Sequence, residues 1–247
     1  MHKRDIELIR AVQRGDVRGV AKSLRAGASP NASTGPYPVL VAAILNGETA
    51  VAQLLIEHGA ATMAGGPYYY QRPLLAAVKR GDATIVELLL HKGADPTWTR
   101  PGYASALELA ATQGQAEVVV RLLAGGVDPL AQDALGQTAL HLAASAGHAD
   151  VARVLIDAGV AVDVETAQGM TPLACAVAID PDDELEPIRP EARHRVVAML
   201  ISRGADVSHR DRTGRSIGDH ALERQDVTLM ELLSSATENS PPSPQSQ

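Results

Sequence analysis

Thr138-Ala139-Leu140-His141-Leu142-Ala143-Ala144-Ser145-Ala146-Gly147 reads as one complete short helix: a Thr able to cap, a run of good helix formers, and a Gly stop. From His148 to Ala158 follow Val151, Val154 and Leu155 at helical offsets, an amphipathic stripe that ends at Gly159, where a left-handed cap costs least. The polar stretch from Asp163 to Gly169 then reverses the chain. Two helices of about nine to eleven residues are not stable alone in water. The hairpin therefore needs neighbours of its own kind.

The chain supplies them. A Gly followed by a small apolar residue recurs at Gly27-Ala28, Gly59-Ala60, Gly93-Ala94, Gly126-Val127, Gly159-Val160 and Gly204-Ala205, at intervals of 32, 34, 33, 33 and 45. Leu40, Leu74, Leu107, Leu140 and Leu173 keep the same beat, so the period is 33 with an insertion of 12 in the sixth unit. Stacking such hairpins buries both apolar faces in one core, and the small alanines allow close approach.

These residues resemble the ankyrin repeat. Thr138-Ala139-Leu140-His141-Leu142-Ala143 and Thr171-Pro172-Leu173-Ala174-Cys175-Ala176 are similar to its T-P-L-H-x-A signature, and Gly93-Ala94-Asp95-Pro96 to its G-A-D-V-N end. The resemblance implies an all-α, helical-hairpin solenoid with short β-hairpin fingers. About seven units are expected over residues 1–235, with first helices beginning near Ile6, Pro38, Pro73, Ser105, Thr138, Thr171 and Ser216. It also implies that His141 hydrogen-bonds across its finger. The end units depart from the signature, as polar caps do. Residues 236–247 read as a disordered tail. The insertion at about 180–193, acidic and containing Pro181, Pro187 and Pro190, has no helix or strand signal; a functional loop and plain disorder both fit it.

Composition excludes several classes. The net charge of -7 opposes nucleic-acid binding, and no run approaches the roughly 18 apolar residues of a membrane span. One cysteine, Cys175, forms no intramolecular disulfide and favours a cytoplasmic setting; its place on a first helix reads as buried and inert. The start, Met1-His2-Lys3-Arg4-Asp5, has no apolar stretch behind it and is not expected to be a secretory signal. Glycine spacing matches neither phosphate-cradling loop, so no nucleotide cofactor is expected. The histidines and the acidic run Asp180, Asp182, Asp183, Glu184 and Glu186 lack metal-ligand spacing, so no metal is expected either.

One stretch matches a catalytic motif. Gly214-Arg215-Ser216-Ile217-Gly218 fits G-x-S-x-G, with Asp219 and His220 beside it, and would make Ser216 the nucleophile of a serine hydrolase. That motif needs a buried strand before the turn, and His209-Arg210-Asp211-Arg212-Thr213 is too polar to be one. Aligned on the repeat, Ser216 takes the place of Thr138 and Thr171 and is expected to cap a helix.

The expected function is therefore recognition of another protein. Registering the units places Tyr37 in the second finger, Tyr68, Tyr69 and Tyr70 in the third, and Trp98 and Tyr103 in the fourth, so all six aromatics fall in three consecutive fingers. Tyr and Trp are enriched among interface hot spots. Tyr70 and Trp98 are the rings most expected to lie along a hairpin instead. Lys79, Arg80, Thr112 and Gln113, at the ends of first helices, are expected to flank the cluster on the concave side. A second candidate strip is Arg210, Arg212 and Arg215, suited to a carboxylate-rich partner. The net charge favours a basic partner at the main site. An inhibitor or immunity-type protein, monomeric, is one form this could take. A receptor for a peptide tail or small cationic ligand, held in an aromatic cage, is another.

Overall fold

The computed structural model describes residues 2–33, 35–63, 72–178 and 189–239. In chain order the helices are α1 (Lys3–Gln13), α2 (Val17–Arg25), α3 (Val39–Leu45), α4 (Thr49–Glu57), α5 (Pro73–Arg80), α6 (Ala83–His91), α7 (Ala106–Thr112), α8 (Ala116–Ala124), α9 (Ala139–Ser145), α10 (Ala149–Asp157), α11 (Pro172–Val177), α12 (Pro190–Ser202), α13 (Ile217–Arg224) and α14 (Val227–Asn239). The architecture is a solenoid of helical hairpins. Each expected first-helix start falls within three residues of an observed one.

The chain divides into two compact units, residues 1–110 with 117–127 and residues 111–116 with 128–247. Within the first, α1, α3 and α5 pack in succession as one layer, and α2, α4 and α6 as another. Within the second, α9, α11 and α13 form one layer and α10, α12 and α14 the other. The repeat markers explain both. Leu40, Leu74, Leu107, Leu140 and Leu173 are all buried, and burying each contributes about 2 kcal/mol. Where the last unit has Gly218 in that place, Ile217 is buried one position earlier. The alanine pairs Ala76-Ala77, Ala110-Ala111 and Ala143-Ala144 are buried on first helices, where a larger side chain would hold the layers apart.

Caps set the boundaries. Thr171 Oγ1 accepts the Ala174 amide at 3.2 Å, with Pro172 at the first helical position. Ser105 and Glu108 cap each other's amides reciprocally, at 2.8 and 3.2 Å.

Two boundaries differ from expectation. Pro190 to Arg193, expected in the insertion loop, opens α12, because Pro is favoured at a helix start and Glu191 suits the first turn. Residues 179–188 lie outside the described residues. At the other end α14 continues to Asn239, past residue 235, and Ser234, Ser235 and Thr237 bond back to the carbonyls of Met230, Leu232 and Leu233. Residues 240–247 lie outside the described residues.

The fingers are hairpins closed by single bridges, Ser33 to Pro38, Gln132 to Thr138 and Arg210 to Ser216 among the described residues. In the second unit Asp133 accepts the amides of Leu135 and Gln137, both at 2.8 Å, and Thr166 and Asp211 organise the two following fingers in the same way. Neighbouring fingers are bonded through their backbones, Ala167 N–H to Leu135 O at 3.0 Å and Arg212 N–H to Gln168 O at 3.1 Å.

Candidate functional site

In the first unit Tyr37, Trp98 and Tyr103 stand on fingers with Ser33 and Arg100 in the place that Asp133 holds in its finger. Tyr37 ends the second finger, half-buried beside the start of α3. Trp98, also half-buried, lies after Asp95, whose carboxylate accepts both the amide and the hydroxyl of Thr97, at 2.9 and 2.7 Å. Those bonds hold the Asp95 carboxyl below its usual range, with Arg72 adding to the effect against a small opposing burial.

Arg72, the residue before α5, places its guanidinium 3.9 Å from the centroid of the Trp98 ring, and Arg100 stands 5.3 Å from that of Tyr103. Trp98 thus lies against Arg72 at the end of the neighbouring finger and lines a small recess with it and Met63. Tyr103 is 51% exposed. Lys79 and Arg80 are exposed at the end of α5, where cations suit the helix dipole. Tyr68, Tyr69 and Tyr70 lie outside the described residues. Thr112 and Gln113 are exposed but belong to the second unit. The Thr112 carbonyl meets His148 Nε2 at 3.0 Å, and Gln113 accepts from Gln115 at 2.7 Å.

The arginine strip of the last finger is largely neutralised within the chain. Arg210 pairs with Asp219 at 3.7 Å and bonds Gly214 O, while Arg215 pairs with Glu223. The aliphatic stem of Arg212 packs over Gly169 of the preceding finger.

Ser216 is a helix cap. Its hydroxyl accepts the Asp219 amide at 3.1 Å while its own amide donates to the Asp219 carboxylate at 2.8 Å, forming a capping box on α13. His220 turns its Nε2 to Asp211, 3.0 Å away, so the imidazole that a hydrolase would need as base is committed to the finger turn. Asp211 in turn accepts from Thr213 and Arg215, and these bonds together with His220 bring its carboxyl down to about 2 against an opposing desolvation.

His141 fulfils the expectation of a bond across the finger. Its Nε2 lies 2.9 Å from Val164 O and 3.1 Å from Met170 O, and its Nδ1 3.1 Å from the Thr138 amide. His209 repeats part of this bridge, with Nε2 2.8 Å from Gly169 O. Among the described residues no group of His, Cys, Asp and Glu could hold a metal ion.

Cys175 differs from expectation: it is half-buried, not buried, and lines a cleft of about 310 Å³ with Gln137, Ser145 and Met170. Its thiol is nonetheless desolvated, which pushes its pKa from 9.0 up to about 12. The thiolate at neutral pH is then about a thousandfold scarcer than on an ordinary cysteine. Iodoacetamide labelling of the native chain is expected to run slower by about that factor than labelling in urea; equal rates would show the thiol to be solvated.

The family comparison follows the same residues. The model for ankyrin repeats (3 copies) matches residues 8–99 and 107–211. Among solved structures, the human ASB11 ankyrin repeat domain is similar with a TM-score of 0.74 and 25% identity, covering 95% of this chain and 98% of that one. No curated protein matches the chain. Ankyrin repeats are in general protein–protein interaction modules and typically non-enzymatic, and no helix among the described residues is long and apolar enough to cross a membrane. With buried Leu markers every 33 residues, a signature His141 bridging its finger and a family model spanning most of its length, the chain belongs to the ankyrin repeat family.

Proposed function

We propose that this chain binds a partner protein through the aromatic fingers of its first unit, with Tyr103, Trp98 and Tyr37 as contact residues and Lys79 and Arg80 beside them. The observation that carries the reading is Tyr103, a large ring 51% exposed on a finger whose other aromatic is already packed. An exposed Tyr offers a large, rigid contact area and loses little rotamer freedom on binding. Tyr68 and Tyr69 join the proposal on their sequence position. The net charge of -7 steers a basic partner towards the chain as a whole. Inhibition of an enzyme or toxin in the cytoplasm is the role that fits a module of this kind.

The test is capture from the native cytosol by wild type and by the Tyr68→Ala, Tyr69→Ala, Tyr103→Ala variant. Once a partner is in hand, Tyr103→Ala alone is expected to weaken it by about 2 kcal/mol, or about thirtyfold. A partner held equally by both forms removes the aromatic surface.

The Arg72 guanidinium over Trp98 favours a second reading, a receptor for a cationic peptide group that takes the same ring face. Trp98 is the single tryptophan, so its fluorescence reports the event directly. A trimethyl-lysine peptide that shifts the emission supports this reading, and a broad protein interface predicts no shift with the isolated peptide.

A further inference from the structure

The charge of this chain is divided unevenly. Residues 1–25 hold seven of the 22 Lys and Arg against three of the 29 Asp and Glu, a net of +4, while the rest hold 15 against 26, a net of -11. The basic residues of the first hairpin recur at helical spacing. Along α1 and its C-cap residue, Lys3, Arg10 and Arg14 share one face, and in α2 Arg18, Lys22 and Arg25 share another. These six and Arg4 are all exposed. The opposite faces carry Leu8, Val12, Val20 and Leu24, which are buried where α1 and α2 pack together.

Helix stability does not account for this arrangement. Arg10, Lys22 and Arg25 stand in last turns, where a cation suits the dipole, but Lys3 and Arg4 stand in the first turn of α1 and Arg18 in the first turn of α2, where a cation opposes it. Like charges four apart repel as well. Internal pairing does not account for it either. Among the described residues Arg121, Arg153, Arg203, Arg210 and Arg215 each meet a carboxylate, whereas none of the seven does. Two of the three nearby acids are committed elsewhere: Asp5 accepts the Ser29 amide at 2.9 Å and Asp16 caps α2 through the Gly19 amide at 2.9 Å. Val17, beside Arg18, is 40% exposed and offers an apolar contact within the charged surface.

We propose that the exposed faces of α1 and α2 form a docking surface for an acidic segment of a partner protein. The scale of the rows selects this occupant. At 1.5 Å per residue Lys3 to Arg14 spans about 17 Å and Arg18 to Arg25 about 11 Å, the length of two or three helical turns. A nucleic-acid duplex would run beyond that footprint, and the remaining chain offers it a net of -11. A lipid surface favours helices whose apolar side is available, and here that side is inside the unit. The surface uses none of the finger residues, so it stands whether or not they bind.

The test uses the full chain and a short fluorescein-labelled peptide of alternating Glu and Ala, followed by anisotropy at low and at physiological salt. Wild type is expected to bind it, more tightly at low salt. The triple reversal Arg18→Glu, Lys22→Glu, Arg25→Glu is expected to weaken binding at least about tenfold, and Arg10→Glu with Arg14→Glu to weaken it as well. Arg18→Gln with Lys22→Gln and Arg25→Gln, which places no carboxylate at either end of α2, is expected to reduce affinity too, while Arg18→Lys with Arg25→Lys retains it. Circular dichroism verifies that each variant is folded. No binding by wild type at low salt overturns the proposal, and so does equal binding by the reversals. Binding of duplex DNA or phosphatidylserine vesicles more tightly than the peptide, and lost in the same reversals, overturns it in favour of a different partner.

Discussion

His141→Ala is expected to destabilise the second unit by about 3 kcal/mol, read as a fall in the urea midpoint at unchanged slope. The geometry admits one tautomer. The Thr138 amide can only donate, so Nδ1 accepts; the carbonyls of Val164 and Met170 can only accept, so Nε2 carries the proton. The ring is fully buried, and its removal strands the Val164 carbonyl and the Thr138 amide, takes one of two donors from the Met170 carbonyl, which the Thr166 amide still meets at 3.0 Å, and empties the space it filled. A variant as stable as wild type would mean that water takes over all three bonds.

The same site fixes a pH dependence. Burial lowers the His141 pKa from 6.5, against the two carbonyls, which favour the charged ring, and a second ring proton would meet the Thr138 N–H. Because the folded pKa lies below the unfolded one, the unfolded chain binds more protons in the interval between them. Stability is therefore complete above about pH 6.5 and declines as the pH falls through that window. In the Ala variant this component of the decline is expected to vanish.

How much of this was legible depends on the distance over which each signal acts. The hairpins, their caps and the buried Leu beat rest on spacings within one unit, which is why Ser216 could be placed as a cap rather than a nucleophile. The same local reasoning missed the start of α12, because an acidic, proline-bearing stretch masks a Pro190 that initiates rather than breaks a helix. The Arg72–Trp98 stack joins residues 26 apart on different fingers, and no periodicity marks such a pair. The basic face of the first hairpin was legible in the four-and-three spacing of Arg18, Lys22 and Arg25. It was hidden by averaging, since a total of -7 conceals a net of +4 in residues 1–25. The Arg210 and Arg215 strip shows the converse: a row of charges in sequence whose carboxylate partners, Asp219 and Glu223, come from the helix that follows.

Gly136→Ala is expected to cost about 3 kcal/mol, well above the roughly 1 to 2 kcal/mol expected for Gly159→Ala, although both residues have positive φ, 76° and 98°. The left-handed strain is common to the two. The surroundings are not: a Cβ at Gly159 meets nothing within 4 Å, whereas one at Gly136 lies 2.7 Å from the backbone nitrogen of Ala167 in the next finger. That amide donates to Leu135 O at 3.0 Å, and the side chain at residue 136 must either break the bond or displace a finger whose turn is tied by Thr166 to Gln168 and Met170. Backbone, unlike a flexible side-chain end, cannot yield by rotation. Hydrogen exchange at the Ala167 amide separates the two costs, since Gly136→Ala is expected to remove its protection and Gly159→Ala to leave it intact. Equal destabilisation by the two, with Ala167 protected in both, would show that neighbouring fingers move apart freely and that their backbone bonds contribute little to holding the fingers of this unit in register.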